Sequence, residues 1–280
     1  MSGLDPAVLK VRVQRLKAVP TLPKLLERIS AALEDPDIDF ARVGELIEVD
    51  QALTAQVLRL ANSAFFSQQG RVGHVAQALI MLGAVVTRSI VLSSSVIEFR
   101  RVKLKGFWEH SLGCAVAAGA LAKVVGRCAP EEVTAAGLLH DLGKVVVYKE
   151  MPDVFEHLVA YAQRDRRAFR DVERELLGAD HAEIAGWLVD RWRLPASLRE
   201  PIRFHHTPAM AQIAKDETAI VHVANVLVRA LGYGSGGDLL VPPVDARAWE
   251  RLDLTAARLD DVLDTFERDL DHALNYALFD

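Results

Sequence analysis

Apolar residues recur along most of the chain at the three- and four-residue spacing of an amphipathic α-helix. In segment 22–35, LPKLLERISAALED, one stripe consists of Leu22, Leu25, Leu26, Ile29 and Leu33. Segments 40–49 and 52–66 repeat this pattern, and the polar stretches DPDID and DQ between them are typical of turns. No segment shows the sustained alternation of a half-buried strand, and the run VVVY at 145–148 has no partner strand. The pattern predicts an all-α fold.

Residues 78–97, ALIMLGAVVTRSIVLSSSVI, come nearest to a membrane-spanning segment. Arg88 lies near the centre of this run, where its insertion into a bilayer would cost about 2.5–3.5 kcal/mol. Gly83 also interrupts the run. We therefore expect two consecutive buried helices with a break near Gly83, and no membrane association.

The stretch FRRVKLKGF at 99–107 interrupts the apolar helices and predicts a boundary between two lobes. The N-terminal helical lobe is expected to comprise residues 1–100, and a second helical lobe, with the C-terminal helices, residues 101–280. Within the second lobe, Asp180 and Glu183 have the spacing of a capping box and predict a helix start. Gly143 predicts a helix end, because glycine commonly follows the last turn of a helix.

Charge and cysteine content narrow the classes of function. The net charge of -5 gives no overall attraction to nucleic acid or anionic lipid. The two cysteines, Cys114 and Cys128, provide no disulfide framework, and the N-terminus lacks the apolar core of a signal peptide. These features favour a cytoplasmic protein.

The candidate chemistry lies in two short histidine motifs. GLLHDLGK at 137–144 places His140 beside Asp141, and IRFHH at 202–206 ends in His205 and His206 before Thr207. Neighbouring side chains diverge by about 100° within a helix, but at a helix end both can turn toward one ion. Metal sites assembled from separate helices need such imidazole and carboxylate groups in one cavity. A purely structural hydrogen-bonding role for these residues is the alternative.

Several long segments, taken in order, resemble the HDOD family of the HD superfamily of metal-dependent phosphohydrolases. Residues 22–66 resemble the amino-terminal lobe of that family, including its phrase DQALTAQVLRLANSA, and residues 75–92 resemble the segment that follows. The segments FWEHSLGCAVAAGALA, GLLHDLGKVVV, HAEIAGWLVDRWRLP and IRFHH then come in the family's order. The similarity covers roughly residues 15–230, and this order of motifs is far more specific than a single His–Asp pair.

The resemblance implies an all-α, two-lobed helical fold with an HD-like core. It also implies one or two divalent metal ions, such as iron or manganese. The positions that match the metal ligands of related cyclic di-GMP hydrolases are His110, His140, Asp141, His181, His205 and His206. Lys144 matches a phosphate-facing lysine, whereas Glu109 stands out of register with the usual acidic ligand.

Two departures from the enzyme pattern bear on catalysis. Asn225 stands where the late aspartate ligand of HD enzymes is expected, and the sequence HHTPAMAQ lacks the Gly-Tyr-Pro signature of cyclic di-GMP hydrolases. A carboxamide can bind a cation through oxygen but brings no negative charge, so metal affinity falls and the pKa of a bound water rises. Because such a water is a poorer nucleophile, a site of this kind can still bind metal after it has lost hydrolytic activity.

These observations favour a regulatory module of signal transduction that binds metal but lacks robust hydrolase activity, with no catalytic residue assigned. The alternative is a metal-dependent phosphodiesterase acting on a nucleotide or cyclic dinucleotide. A third hypothesis is a nucleotide-binding module in which Lys144 holds phosphate without cleaving it. We expect a signalling protein as partner, whereas a nucleotide ligand, a homodimer and the input signal stay open.

The remaining histidines have ordinary structural interpretations. His157 and His272 are expected at the surface or in hydrogen bonds, and His74 near a helix start. His222 lies one turn before Asn225 and could support the site. Asn62 and Ser63 are expected to cap or bridge within the first lobe.

Overall fold

The computed structural model describes residues 24–33, 35, 37–49, 53–54, 57–58, 61, 72–94 and 104–276. No strand occurs in those ranges, and the predicted all-α fold is confirmed. The described part of the chain forms two compact units, one within Thr21–Ile97 and Ala257–Asp280 and the other within Glu98–Ala256. The predicted division into residues 1–100 and 101–280 stays a prediction; the contacts of the described residues 257–276 group them with residues of the 21–97 range.

The unit within Thr21–Ile97 and Ala257–Asp280 contains α1 (Lys24–Leu33), α2 (Phe40–Glu48), α3 (Val75–Ser94) and most of α13 (Ala256–Tyr276). The side chain of Asp39 caps α2 by accepting hydrogen bonds from the backbone of Ala41 and Arg42. Helices α1 and α2 pack against α3 and against each other. The core of these three helices is apolar and includes Ile29, Leu33, Val43, Ile47, Leu79 and Leu82.

The predicted break near Gly83 is confirmed. The backbone of Gly83 leaves the helical region inside α3, with φ 72° and ψ 165°, a conformation that glycine adopts without the steric cost of a side chain. None of the described helices combines the length and the hydropathy that a membrane crossing requires. Leu22, Asn62 and Ser63 lie outside the described residues, as do the side chains of Leu26, Arg88 and His272.

The second unit is built around a helix that is buried on nearly every side. This helix is α4 (Phe107–Val125), and its small residues let α5 (Pro130–Leu139) and α11 (Lys215–Ala230) pack closely against it. The other helices of the unit are α6 (Leu142–Glu150), α7 (Pro152–Arg164), α8 (Phe169–Leu177), α9 (His181–Arg191), α10 (Ala196–Phe204) and α12 (Ala246–Arg251). A 3-10 turn, Pro208–Met210, follows α10.

Two local predictions in this unit have different outcomes. Asp180 caps α9 as expected, because its carboxylate accepts a hydrogen bond from the backbone N–H of Glu183 at 2.9 Å. The prediction that Gly143 ends a helix is wrong, since α5 ends earlier at Leu139 and Gly143 lies inside α6. A methyl group on Gly143 would overlap the backbone carbonyl of His181, so this glycine serves close packing rather than termination. The run VVVY likewise belongs to α6.

Candidate metal centre

The structure brings all six predicted ligands together inside the unit within Glu98–Ala256. His110 lies in the first turns of α4, and His140 and Asp141 occupy the break between α5 and α6. His181 opens α9, while the last two histidines follow α10. Five of the six side chains are buried and the sixth, His206, is partly buried. Residues separated by almost a hundred positions therefore form one polar cluster within an apolar core.

Two close backbone contacts assemble the cluster. Gly143 brings α6 against the backbone of His181, which places that imidazole beside Asp141. Gly137 lies against the backbone of Cys114, where a methyl group would stand 2.7 Å from the Cys114 carbonyl oxygen. This second contact draws α5 toward α4 and so brings His140 toward His110, with ring centroids 5.2 Å apart.

The carboxylate of Asp141 lies at the centre of the cluster, and its two oxygens face different histidines. Its Oδ2 lies 3.6 Å from His110 Nε2, 3.4 Å from His140 Nε2 and 2.6 Å from Lys144 Nζ. Its Oδ1 lies 3.1 Å from His181 Nε2 and 3.9 Å from His205 Nε2. A carboxylate in this position can bind a cation through either of its two oxygens.

Backbone carbonyls fix the orientation of two imidazole rings. His140 Nδ1–H donates to the carbonyl of Gly137 at 2.7 Å, and His205 Nδ1–H donates to that of Ile202 at 2.9 Å. Because a carbonyl only accepts, each ring must carry its proton on Nδ1 and direct the lone pair of Nε2 into the cluster. A metal-ligating histidine is commonly held by such a hydrogen bond from its other nitrogen.

Three atoms at the centre of the cluster make no hydrogen bond of good geometry among the described residues, although one of them, Asp141 Oδ1, lies 3.1 Å from His181 Nε2. They are the Nε2 atoms of His140 and His205 and the Oδ1 atom of Asp141, all fully buried. An unpaired buried polar atom costs about 1–3 kcal/mol, so folded proteins rarely leave several together. Ligand atoms of these three residues lie within 4.8 Å of one another, as do those of His181, His205 and His206. The residues therefore fit a divalent cation, whose coordination would satisfy all three atoms.

A buried glutamate that sequence reasoning missed holds His181. Glu173 Oε2 accepts hydrogen bonds from His181 Nδ1 at 2.5 Å and from the His181 backbone N–H at 3.0 Å. Its signal was present in the pattern of α8, where Phe169, Val172 and Leu177 form an apolar stripe. Glu173 occupies a position of that stripe, and a buried acid at such a position needs a partner.

The charges of the cluster shift its pKa values in opposite directions. Burial lowers the pKa of His110, His205 and His206. Burial would also lower the pKa of His181, but the carboxylates of Glu173 and Asp141 outweigh this effect and raise it to about 9. Burial would raise the pKa of Asp141, but His140, Lys144 and His181 beside it outweigh this effect and hold the pKa well below its usual range. Asp141 is thus ionised and able to bind a cation.

A cavity of about 430 Å³ adjoins the cluster and contains the remaining predicted residues. Lys144 and Asn225 line it together with His110. His222 lines it as well, but its Nδ1–H donates to the His205 carbonyl at 2.7 Å and its Nε2 accepts from the Asp245 backbone at 2.8 Å. Because both of its ring nitrogens are hydrogen-bonded to backbone groups, His222 supports the site and is not placed to bind a metal ion. His74 is exposed just before α3, and His157 is partly buried on α7.

The chain matches the family model of the HDOD domain over residues 19–208, two thirds of its length. The chain belongs to the HDOD domain family. This HDOD chain is similar to a solved HDOD domain protein of unknown function from Geobacter sulfurreducens, with 27% identity, a TM-score of 0.68, and coverage of 98% and 97% of the two chains. It is also similar to a provisionally assigned phosphohydrolase from Shewanella amazonensis SB2B, with 26% identity, a TM-score of 0.67, and coverage of 95% and 96%.

One curated relative of this HDOD chain is an uncharacterized protein of Treponema pallidum (strain Nichols). The two are 29% identical over 222 residues, which cover 78% of this chain and 43% of the relative. The chain thus spans less than half of the length of that relative. The likeness supports a shared domain and carries nothing about the rest of the larger protein.

Proposed function

We propose that this HDOD chain is a metal-binding regulatory module of signal transduction that lacks robust hydrolase activity. The observation that carries the metal-binding part is the convergence of three unpaired buried atoms, those of His140, Asp141 and His205. A bound divalent ion would supply a positive charge able to polarise a phosphate and its attacking water. The chain's own contribution is to hold the imidazole lone pairs and the Asp141 carboxylate in place.

The regulatory part of the proposal is supported by Asn225. This residue lines the cavity beside His110 at the position where the HD pattern has a carboxylate. Its amide brings no negative charge, so a water bound to a metal there would keep its proton to a higher pH. The same folded centre can therefore bind an ion and respond to a ligand while turning over phosphate esters poorly.

The second candidate function is hydrolysis of a phosphodiester. Its support is that Lys144, Arg170 and Arg229 line the cavity together with the histidines, beside the carboxylates of Asp171, Asp238 and Asp245. The provisional assignment of the Shewanella amazonensis relative points the same way. The cavity could accept a phosphate beside the metal ligands, which is equally what a nucleotide-binding module would need.

Metal analysis combined with a hydrolysis assay separates these functions. The protein is loaded with manganese or iron, its metal content is measured, and cleavage of cyclic di-GMP and bis(p-nitrophenyl) phosphate is followed. We expect bound metal in the wild type, loss of metal in His140→Ala, and equal background cleavage by both. Turnover that His140→Ala abolishes would overturn the regulatory assignment, and a wild type without metal would overturn the metal-binding part.

Asn225→Asp sharpens the same assay. If the missing charge limits catalysis, restoring the carboxylate should tighten metal binding and raise cleavage above the wild-type background.

A signalling protein as partner and a cytoplasmic location are further parts of the proposal. Calorimetry with cyclic dinucleotides tests the nucleotide ligand, and absence of heat at saturating concentrations counts against it.

A further inference from the structure

The carboxamide of Asn225 is a buried polar group that no other part of the described chain satisfies. Asn225 lines the cavity and is only 5% exposed, yet its side chain makes no hydrogen bond with any described residue. A carboxamide carries two N–H donors and an acceptor oxygen, and nearly all buried groups of this kind have a partner. Because this group faces the cavity, it points to a ligand of the cavity itself, in addition to any ion in the cluster.

Two polar neighbours of Asn225 on the same face of α11 are already occupied. His222 and Arg229 each lie one helical turn away and also line the cavity. Both ring nitrogens of His222 are bonded to backbone groups. The guanidinium of Arg229 donates to Asp238 Oδ1 at 2.5 Å and to the carbonyl of Leu240 at 2.5 Å. Of these three residues on α11, Asn225 is the one available to bind a ligand.

The cations around the cavity lie beside carboxylates of the protein itself. These pairs are Lys144 Nζ with Asp141 Oδ2 at 2.6 Å, Arg229 Nη2 with Asp238 Oδ1 at 2.5 Å and Arg170 Nε with Asp171 Oδ1 at 3.5 Å. A ligand with several phosphates would have to compete with these carboxylates for each cation. The charges therefore favour a ligand that is neutral or carries a single phosphate beside Lys144 and the metal ligands.

One wall of the cavity is apolar and is held in place at its start. Residues 240–244, Leu-Val-Pro-Pro-Val, line the cavity together with Phe169. Asp238 accepts a hydrogen bond from the backbone N–H of Phe169 at 2.8 Å, and Gly237 packs against the Phe169 ring. Sites for organic ligands combine apolar walls with a few polar groups, and the volume of about 430 Å³ lies within their usual range of about 300–1,000 Å³. The lining thus suits a flat ring with apolar faces and a polar edge.

We propose that the cavity binds a nucleobase, carried by a nucleoside or a nucleoside monophosphate, and that the Asn225 carboxamide determines which base edge is accepted. The inference rests on the regulatory part of the proposed function, for which it names the ligand. A carboxamide presents a donor beside an acceptor and forms two coplanar hydrogen bonds with a base edge that presents an acceptor beside a donor. In this arrangement the side chains of residues 240–244 contact the faces of the ring, and a 5′-phosphate lies toward Lys144.

The amide at position 225 therefore has a role beyond the loss of a charge. The carboxylate of the HD pattern only accepts hydrogen bonds, whereas the amide of Asn225 also donates them. Asn225→Asp should tighten metal binding but weaken the binding of bases that need a donor. Guanine is the exception, because its N1–H and N2–H are donors that lie side by side and can both be accepted by one carboxylate. Adenine, cytosine and uracil have no such pair of donor atoms.

Calorimetry with matched compounds tests this inference. The full chain is loaded with manganese and its metal content is measured. It is then titrated with adenosine, guanosine, cytidine and uridine, with their 5′-monophosphates and with ribose 5-phosphate. The variants are Asn225→Ala and Asn225→Asp, and thermal melts confirm that each is folded. Gln77→Glu makes the same amide-to-carboxylate change at an exposed position of α3 and serves as the matched control.

We expect the wild type and Gln77→Glu to bind at least one nucleoside or monophosphate, and to bind it more tightly than ribose 5-phosphate. Asn225→Ala should bind the preferred compound roughly 5–150-fold more weakly, the loss of one bidentate pair. Asn225→Asp should lose a similar factor for adenine, cytosine and uracil compounds, while guanine compounds gain relative to them and metal is retained. Comparison of each nucleoside with its monophosphate distinguishes the two sources of the base.

The inference is wrong if wild-type protein that retains metal binds none of these compounds, or if ribose 5-phosphate binds as tightly as the monophosphates do. It is equally wrong if folded Asn225→Ala binds as the wild type does, since water alone would then satisfy the carboxamide, or if Gln77→Glu loses binding to the same extent. A wild type that binds a nucleoside but no metal supports this inference and overturns the proposed metal binding. A wild type that binds neither overturns both.

Discussion

The two compact units bury different kinds of side chain. Among the described residues of Thr21–Ile97, the buried polar side chains are those of Ser30 and Thr87, and the rest of the core is aliphatic. The unit within Glu98–Ala256 buries charged and imidazole groups, namely His110, His140, Asp141, Lys144, Glu173, Asp180, His181, Glu200, His205 and His222. The unit that contains Thr21–Ile97 also buries Asp269, on α13, so among the described residues a mainly apolar core in one unit contrasts with a cluster of imidazole and charged groups in the other.

This contrast distinguishes residues that stabilise the fold from residues whose burial is explained by a function. An aliphatic core gains stability with each buried methylene group, whereas a buried ion pair often contributes less than apolar residues of the same volume. The second unit also leaves buried side-chain atoms of His140, Asp141, Glu173 and His205 without hydrogen-bond partners in the described part of the chain, whereas the first unit leaves Thr87 Oγ1. Such a cluster costs free energy of folding, and the residues that form it are explained by what they bind.

The largest effect is expected from Asp141→Asn. Removal of this charge leaves the Lys144 ammonium buried without its counter-ion and takes the carboxylate from the predicted ligand set. Breaking a buried ion pair costs about 3–5 kcal/mol of unfolding free energy, which urea denaturation of metal-free protein would measure. Elemental analysis should show that the variant also fails to retain metal.

The matched control for Asp141→Asn lies in the apolar unit. Ile47→Val removes one buried methylene group from α2 and should cost about 0.5–1.5 kcal/mol with no change in metal content. The comparison fails if Asp141→Asn proves no more destabilising than Ile47→Val, or if both variants retain metal equally.

A smaller but more specific effect is expected from Gly143→Ala. The added methyl group would overlap the His181 backbone, so α6 and α9 must separate at a cost of about 1–3 kcal/mol, seen in the same denaturation experiment. His181 would move away from Asp141, and metal affinity should fall with stability. Gly73→Ala, in the other unit, meets no atom within 4 Å in the described structure and should leave both quantities nearly unchanged. Equal behaviour of the two variants would refute the packing role of Gly143.

The limits of sequence-based prediction follow the same division between the units. The helical stripe that includes Ile29 and Leu33, the kink at Gly83 and the cap at Asp180 are local features, and each follows from spacing or from the chemistry of one residue. The order of motifs along the chain, through the family resemblance, predicted the six residues that the structure brings together. The packing of Gly143 on His181 could not be predicted, because it joins residues nearly forty positions apart and the glycine alone reads as a helix end.

The residue missed at the site shows the same limit. Glu173 breaks the apolar stripe of α8, a local signal, but its partner His181 is set by tertiary packing. Spacing along a helix identifies which face a side chain occupies, but not which group from another helix meets that face.

The smallest effect on metal binding is expected from Glu173→Gln. The amide oxygen can still accept the His181 Nδ1–H bond, but the charge that orients and polarises this imidazole is lost. Mutation of an outer-shell partner typically lowers metal affinity about 10–100-fold, which competition with a chelating dye would measure. Glu45→Gln makes the same chemical change at an exposed position of α2 and should leave affinity unaltered. If Glu173→Gln binds metal as tightly as Glu45→Gln does, His181 is not a ligand supported by Glu173, and the buried carboxylate has only a structural role.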